Sequence, residues 1–332
     1  MSAVQQTQWL RGFGLFVGIS FDVLADSPAP GGGNLGNQFF DLSALRFRFR
    51  TQQFDDETPN TCEIRVYNLS PQTVRKVREE YSRVVLQAGY INGSVGTIFD
   101  GDIRQFRTGR EDALNSYLDI LAADGTLPYG FGFVNGSVPS ATLPADYIRR
   151  VAESGSDPLL VGHIAPVFNG SEGKSIRSKV YFGMMRDVLR DAANTAQATW
   201  SIQNGKLQFI PLTGYLPGDV VKLNAFSGVI GVPELTEQGL KIRTLINPRL
   251  TVGGLVQINN KDVNTIVQAG GDPRQYNSWK EPQHLASLSA DGIYRAYVIE
   301  HSGDTRGQEW YSDLVCLSVN NGQVAAFGIL DD

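Results

Sequence analysis

The chain carries few residues able to do chemistry, and their spacing argues against most reactions. His163, His284 and His301 lie in separate segments, and no two stand at the spacing of a helical metal pair. Cys62 and Cys316 are the only cysteines, too few for a disulfide framework or a four-thiolate metal site. Gly173-Lys174-Ser175 ends like a phosphate loop, but that motif needs a glycine where Phe168 stands. No Gly-x-Ser-x-Gly elbow presents a nucleophile. Carboxylates are plentiful, so a glycosidase-like pair is compatible with composition. Yet Asp100 and Asp102 flank Gly101 as in a turn, and Glu234 and Glu237 read as solvated loop charges. His301, between Glu300 and Gly303-Asp304, reads as a hydrogen-bonded strand-end residue, with a general base as the alternative. The expectation is therefore no catalytic residue, no cofactor-binding residue and no metal ligand.

The elements that would position such groups are mostly strands. Every odd position from Phe13 to Val23 is apolar, while glycine, serine and aspartate hold most even ones. That is the period of a half-buried strand; a signal peptide would also need a basic lead and a small-residue cleavage site. No apolar run reaches the roughly 18 residues of a spanning helix, so no membrane anchor is expected. The chain is predicted to fold in the cytoplasm of its producer, and the sequons at Asn68, Asn92, Asn135 and Asn169 are then coincidental. Leu45, Phe47 and Phe49 alternate with Arg46, Arg48 and Arg50. A basic stripe beside aromatics suits nucleic acid. With 29 Lys and Arg against 34 Asp and Glu, a net charge of -5, a solvated or subunit-facing surface is the favoured reading.

Cys62, Ile64 and Val66 continue the alternation, after which Ser70 caps and Pro71 opens a helix with Val74, Val77 and Tyr81 on one face. Strands follow at Val84 to Tyr90, Thr97 to Phe106 and Tyr117 to Ala122. Pro28 to Gly36 reads as a flexible stretch, and from Thr126 to Gly170 prolines and glycines keep strands short. Tyr129, Phe131 and Phe133 alternate with glycines and read as a packed strand rather than a glycan-binding cluster. Helices are predicted over Ala145 to Glu153 and over Ser178 to Ala193, the second packing through Met184, Met185 and Leu189. Asn204-Gly205 predicts a two-residue hairpin pairing Ile202 with Leu207 and Trp200 with Phe209. Strands resume at Leu240 to Ile246, Leu255 to Ile258, Ile293 to His301 and Trp310 to Val319, around a polar loop from Gln268 to Pro282. At 332 residues, 42% hydrophobic and 19% charged, the chain can bury a substantial core. The reading is a mainly β, β-rich α+β chain: a β domain over 1–125, a mixed α/β middle domain over 126–228 and a second β domain over 229–332.

The outer domains share short features. Tyr117 to Leu121 corresponds to Tyr311 to Val315, with Asp119 matching Asp313, and Ile64-Arg65 corresponds to Ile242-Arg243, which suggests a duplicated domain. The run NTCEIRVYNLSPQT with VVLQAGY and GTIFDGDIRQ, then GVIGVPELTEQGLKIRTLINPRLTVGGLVQI, then GIYRAYVIEHSGDTRGQEWYSDL, resembles the baseplate hub proteins of tailed bacteriophages. These are similar in role to the trimeric hub of the T4 and Mu baseplates. The resemblance covers most of the chain outside Thr126 to Gly170 and includes no catalytic motif. It implies a non-enzymatic homotrimer in the tail baseplate of a virion, assembled in the host bacterial cytoplasm. Its outer domains would be tube-like antiparallel β-barrels that join the tail tube to the central spike and let DNA pass. Implied partners are the tail tube protein, a central spike or tail fibre protein, other baseplate proteins and the tape-measure protein, with no tight specific DNA binding. A tail-associated cell-wall hydrolase and a glycan-binding module are the competing readings.

Overall fold

Alternating side chains build the first sheet. Strands β1 (Arg11–Gly18), β2 (Phe39–Asp41), β3 (Phe47–Phe54) and β4 (Thr61–Tyr67) precede helix α1 (Pro71–Glu80), followed by β5 (Arg83–Tyr90), the long β6 (Val95–Arg110) and β7 (Ser116–Ala123). The computed structural model describes residues 10–18, 39–91, 93–170, 173–224, 227–236, 239–259, 264–265, 292–320 and 323–324. The stretches expected to be loops at Pro28 to Gly36 and Gln268 to Pro282, and Ile19 to Val23 of the first strand, lie outside them. In β3, Phe47 and Phe49 turn inward while Arg48 and Arg50 face out. Helix α1 starts as predicted: the Ser70 hydroxyl accepts from the Thr73 N–H at 3.1 Å, and Val77 is its buried anchor. Asp100 and Asp102, expected in a turn, instead lie inside β6. Gly101 serves close strand approach, since a Cβ there would stand 2.9 Å from the Ala123 carbonyl oxygen.

The middle of the chain mixes short elements: α2 (Thr126–Gly130), β8 (Phe133–Val138), α3 (Pro144–Glu153), β9 (Leu160–Ile164), β10 (Lys179–Met184), α4 (Met185–Ala196), β11 (Ala198–Gln203) and β12 (Lys206–Pro211). The helix expected from Ser178 begins only at Met185. Val180, Tyr181 and Phe182 are β-branched or aromatic, and pairing with β8 holds them extended, a long-range partner that a local 3.6-residue period does not register. Tyr129, Phe131 and Phe133 do not form a packed strand. Thr126–Gly130 is helical, the Gly132 N–H closes onto the Leu127 and Pro128 carbonyls, and Phe131 is 69% exposed. The hairpin matches its prediction. Asn204 and Gly205 take φ of 52° and 75°, and Ile202 faces Leu207 while Trp200 faces Phe209.

The last part consists of β13 (Val221–Leu223), β14 (Val229–Thr236), β15 (Gly239–Leu245), β16 (Leu255–Ile258), β17 (Asn264–Thr265), β18 (Ile293–Asp304), β19 (Trp310–Asn320) and β20 (Gln323–Val324). Glu234, expected in a loop, lies in β14; Glu237 lies outside the described residues. Because β3 pairs with β18, the outer parts share one 15-stranded sheet whose backbone runs β14-β15-β19-β18-β3-β4-β7-β6. Among the described residues three large buried clusters form: one centred on the first sheet, one between α3, α4 and the β11-β12 hairpin, and one beneath β15, β18 and β19. The molecule is thus mainly β, with helices α2, α3 and α4 in the middle part and α1 in the first.

Both outer parts repeat one strand order. The first reads β3-β4-β7-β6-β5-β1 and the last β14-β15-β19-β18-β16-β13. Register repeats as well: Arg65 lies opposite Asp119 and Arg243 opposite Asp313. Each long strand slips by one residue at the matching place, between Ile103 and Gln105 and between Ala296 and Val298. The repeats part at one edge, where β13 runs parallel to β16 but β1 runs antiparallel to β5.

Candidate functional site

The candidate site is the polar face of the eight-strand ladder, built by strict alternation. Apolar Phe49, Ile64, Ile120 and Leu314 point into the cores, and their sequence neighbours Arg50, Arg65, Asp119 and Asp313 point outward. Those outward charges are already paired. Arg65 donates to Asp119 at 2.7 and 3.0 Å, and Arg243 to Asp313 at 2.6 and 3.0 Å. Beside each pair stands an equivalent tyrosine ring, Tyr117 at 4.0 Å from the Arg65 guanidinium and Tyr311 at 5.8 Å from that of Arg243.

The arginine stripe singled out in the sequence is paired within the chain by two carboxylates, Asp304 and Glu300. Arg46 and Arg48 each reach Asp304 at 2.7 Å, and Arg50 reaches Glu300 at 2.5 Å. Burial alone would raise the Asp304 carboxyl, but hydrogen bonds from Arg46, Arg48 and the Arg306 N–H hold it well below the usual carboxylate range. Partly exposed pairs of this kind contribute about 0–1 kcal/mol each. Their larger effect is on ligands, since a guanidinium committed to a carboxylate offers less to a phosphate. An open depression of about 370 Å³ on this face, lined by Arg50, Glu63, Arg65, Arg107 and Asp119 among others, presents no nucleophile beside a base.

The remaining titratable groups are built into the structure. His301 sits within β18 rather than at its end, 1% exposed, with Nδ1 2.8 Å from the Ser312 hydroxyl; burial lowers its pKa to about 4, which does not suit a base near neutral pH. Asp124 is equally buried and accepts from the Gly205 N–H at 2.6 Å. Burial raises it to about 7 against that hydrogen bond, with Asp100 and Asp102 adding to the rise. Asp100 itself is gripped by Arg83 at 2.7 and 2.5 Å. Cys62 and Cys316 are free and buried, and burial pushes both thiols up, so neither is an activated nucleophile. Among the described residues no three His, Cys, Asp or Glu side chains converge as metal ligands would, and no helix is long and apolar enough to cross a membrane. His284 lies outside them.

Two buried junctions that the sequence did not reveal lock the parts together. Arg295 of β18 ion-pairs with Asp55, both side chains 2% exposed, and donates to the Gly214 carbonyl at 2.7 Å. Asn60 donates to the Ile202 carbonyl at 2.9 Å and to Gln203 at 2.8 Å, and Gln203 donates to the Phe54 carbonyl at 2.9 Å. Partners 81 to 240 residues apart leave no local signal. The Arg–Asp pairs across the ladder did have one, the repeated Ile-Arg and Tyr-x-Asp.

The overall fold recurs in solved structures. The 43 kDa tail protein of prophage MuSo2 from Shewanella oneidensis superposes with a TM-score of 0.52 over 95% of this chain and 99% of its own, at 8% identity. A tail protein from Neisseria meningitidis MC58 gives 0.50 over 92% and 96%, at 10% identity. The fold is that of phage tail proteins. An E. coli component of the type VI secretion system, described as structurally similar to the T4 tail proteins gp27 and gp5, also matches, with a TM-score of 0.50 over 85% of this chain and 76% of its own at 9% identity. No family model and no curated protein sequence matches the chain.

Proposed function

We propose that the chain is a structural hub protein of a bacteriophage tail baseplate, three copies of which form a ring joining the tail tube to the central spike and letting DNA pass. The observation that carries this reading is the internal repeat: two sheets of one strand order, each with an Arg–Asp pair in the same register. Three such chains present six equivalent sheets, which lets a threefold ring meet a sixfold tube without mismatch. The neutralised arginines suit a surface past which DNA slides, because each guanidinium already holds a carboxylate. The proposed partners are the tail tube protein, a spike or fibre protein, other baseplate proteins and the tape-measure protein. The domain limits 1–125, 126–228 and 229–332 remain part of this proposal. The reading is tested by labelling this chain in purified tails: label confined to the tube's baseplate end supports it, and label along the tube or absent from the tail contradicts it. Purified protein is expected not to turn over peptidoglycan, and turnover would favour the hydrolase reading.

A further inference from the structure

The repeat leaves one strand edge without its counterpart. In the last part, the end of β18 has β19 on one side and β3 on the other, paired from Val298 opposite Phe54 to Asp304 opposite Arg48. In the first part the equivalent end of β6 has β7 on one side. Beyond Ile103, no described strand pairs with its other side. The strand equivalent to β3 is β14, at the far end of the same ladder. We infer that the end of β6 pairs antiparallel with β14 of a second copy of this chain, as β18 pairs with β3 within one copy.

Charge supports the match. Register places Arg107 where Glu300 stands, since they lie opposite Asp119 and Asp313 respectively. Likewise Glu234 takes the place of Arg50, and Lys241 that of Glu63. Within the chain, Arg50 lies opposite Glu63 and diagonally across from Glu300, to which it is bonded at 2.5 Å. At the inferred contact every sign is reversed: Glu234 lies opposite Lys241 and diagonally across from Arg107 of the neighbouring copy. Arg107 and Glu234 are both exposed, and neither forms an ion pair with a described residue. The two-residue β17 lies parallel on the β14 edge at Glu234 and Leu235. It covers that edge in the single chain, as short guards do on unpaired strands, and the longer antiparallel β6 takes its place on assembly. The contact is heterologous, so copies joined by it close into a ring or run on as a filament.

This inference rests on the ring proposed above and is tested by charge exchange. Arg107→Glu and Glu234→Arg, each alone, are expected to raise the concentration for half-dissociation of the oligomer by about tenfold or more, because like charges then meet. The double variant R107E/E234R is expected to restore it. In a second measurement, Arg107→Lys followed by carbodiimide treatment is expected to give an intermolecular amide between positions 107 and 234, found by peptide mass spectrometry. A trimer indifferent to both exchanges and without that amide overturns this contact and leaves the ring standing. A rescued contact in an assembly of other than three copies upholds the contact and overturns the threefold ring. A wild-type chain that stays monomeric, together with an Arg107→Lys chain that yields no such amide, overturns both.

Discussion

Two buried residues, His301 and Asp124, set opposing pH dependences. His301 has a folded pKa of about 4 against the ordinary 6.5. Its contribution is present above pH 6.5 and lost as pH falls to about 4, on the order of 3 kcal/mol in all. Asp124 is raised from 3.8 to about 7, so its contribution is present below about pH 4 and lost as pH rises to about 7. Wild-type stability is therefore expected to be nearly flat between pH 4 and 6.5. Asp124→Asn, which removes one slope, should make urea-derived stability climb across that window. Identical slopes in the two proteins would contradict the assignment. Arg295→Met strands the Asp55 carboxylate in the interior and is expected to cost about 3–5 kcal/mol. A loss under about 1 kcal/mol by denaturant titration would show that Asp55 finds another partner. Neither Arg295 nor Asp55 was visible as important in the sequence, because what defines both is burial against distant parts of the chain. Arg46, Arg48 and Arg50 were visible. Their counter-ions Asp304 and Glu300, in β18 far along the chain, were not.

Elements were legible where one local signal decided them. Ser70 with Pro71 gave α1, and Asn204-Gly205 gave the β11-β12 hairpin with its register. They were misread where a distant partner decided: β10 reads as helix until β8 is laid beside it, and Gly101 reads as a turn until β7 crowds it. The hairpin gives a direct test. Gly205→Val places a β-branched residue at φ 75° and is expected to cost roughly 2 kcal/mol. Asn204→Gly, which tolerates the same backbone, should change stability by under about 1 kcal/mol. Equal losses in the two variants would mean that the turn conformation is not what the sequence selects there.

For the whole molecule, the strand ladder relates sequence to shape. The short matches between Tyr117 to Leu121 and Tyr311 to Val315 pointed to a duplication, and the two outer parts do share strand order and Arg–Asp register. Sequence did not show that β3 and β18 would fuse the halves into one sheet, because that contact lies between repeats rather than within one. Fusion fixes the angle between the two sheets of a chain, and a ring follows if the next chain repeats the same step. The purified assembly is therefore expected to have a defined symmetry. Imaged by electron microscopy, it should contain three chains in a closed ring, with the six sheets nearly related by sixfold rotation about the central opening. A monomer, a two-fold dimer, or a threefold ring whose two sheets per chain lie at unequal distances from the axis would contradict it.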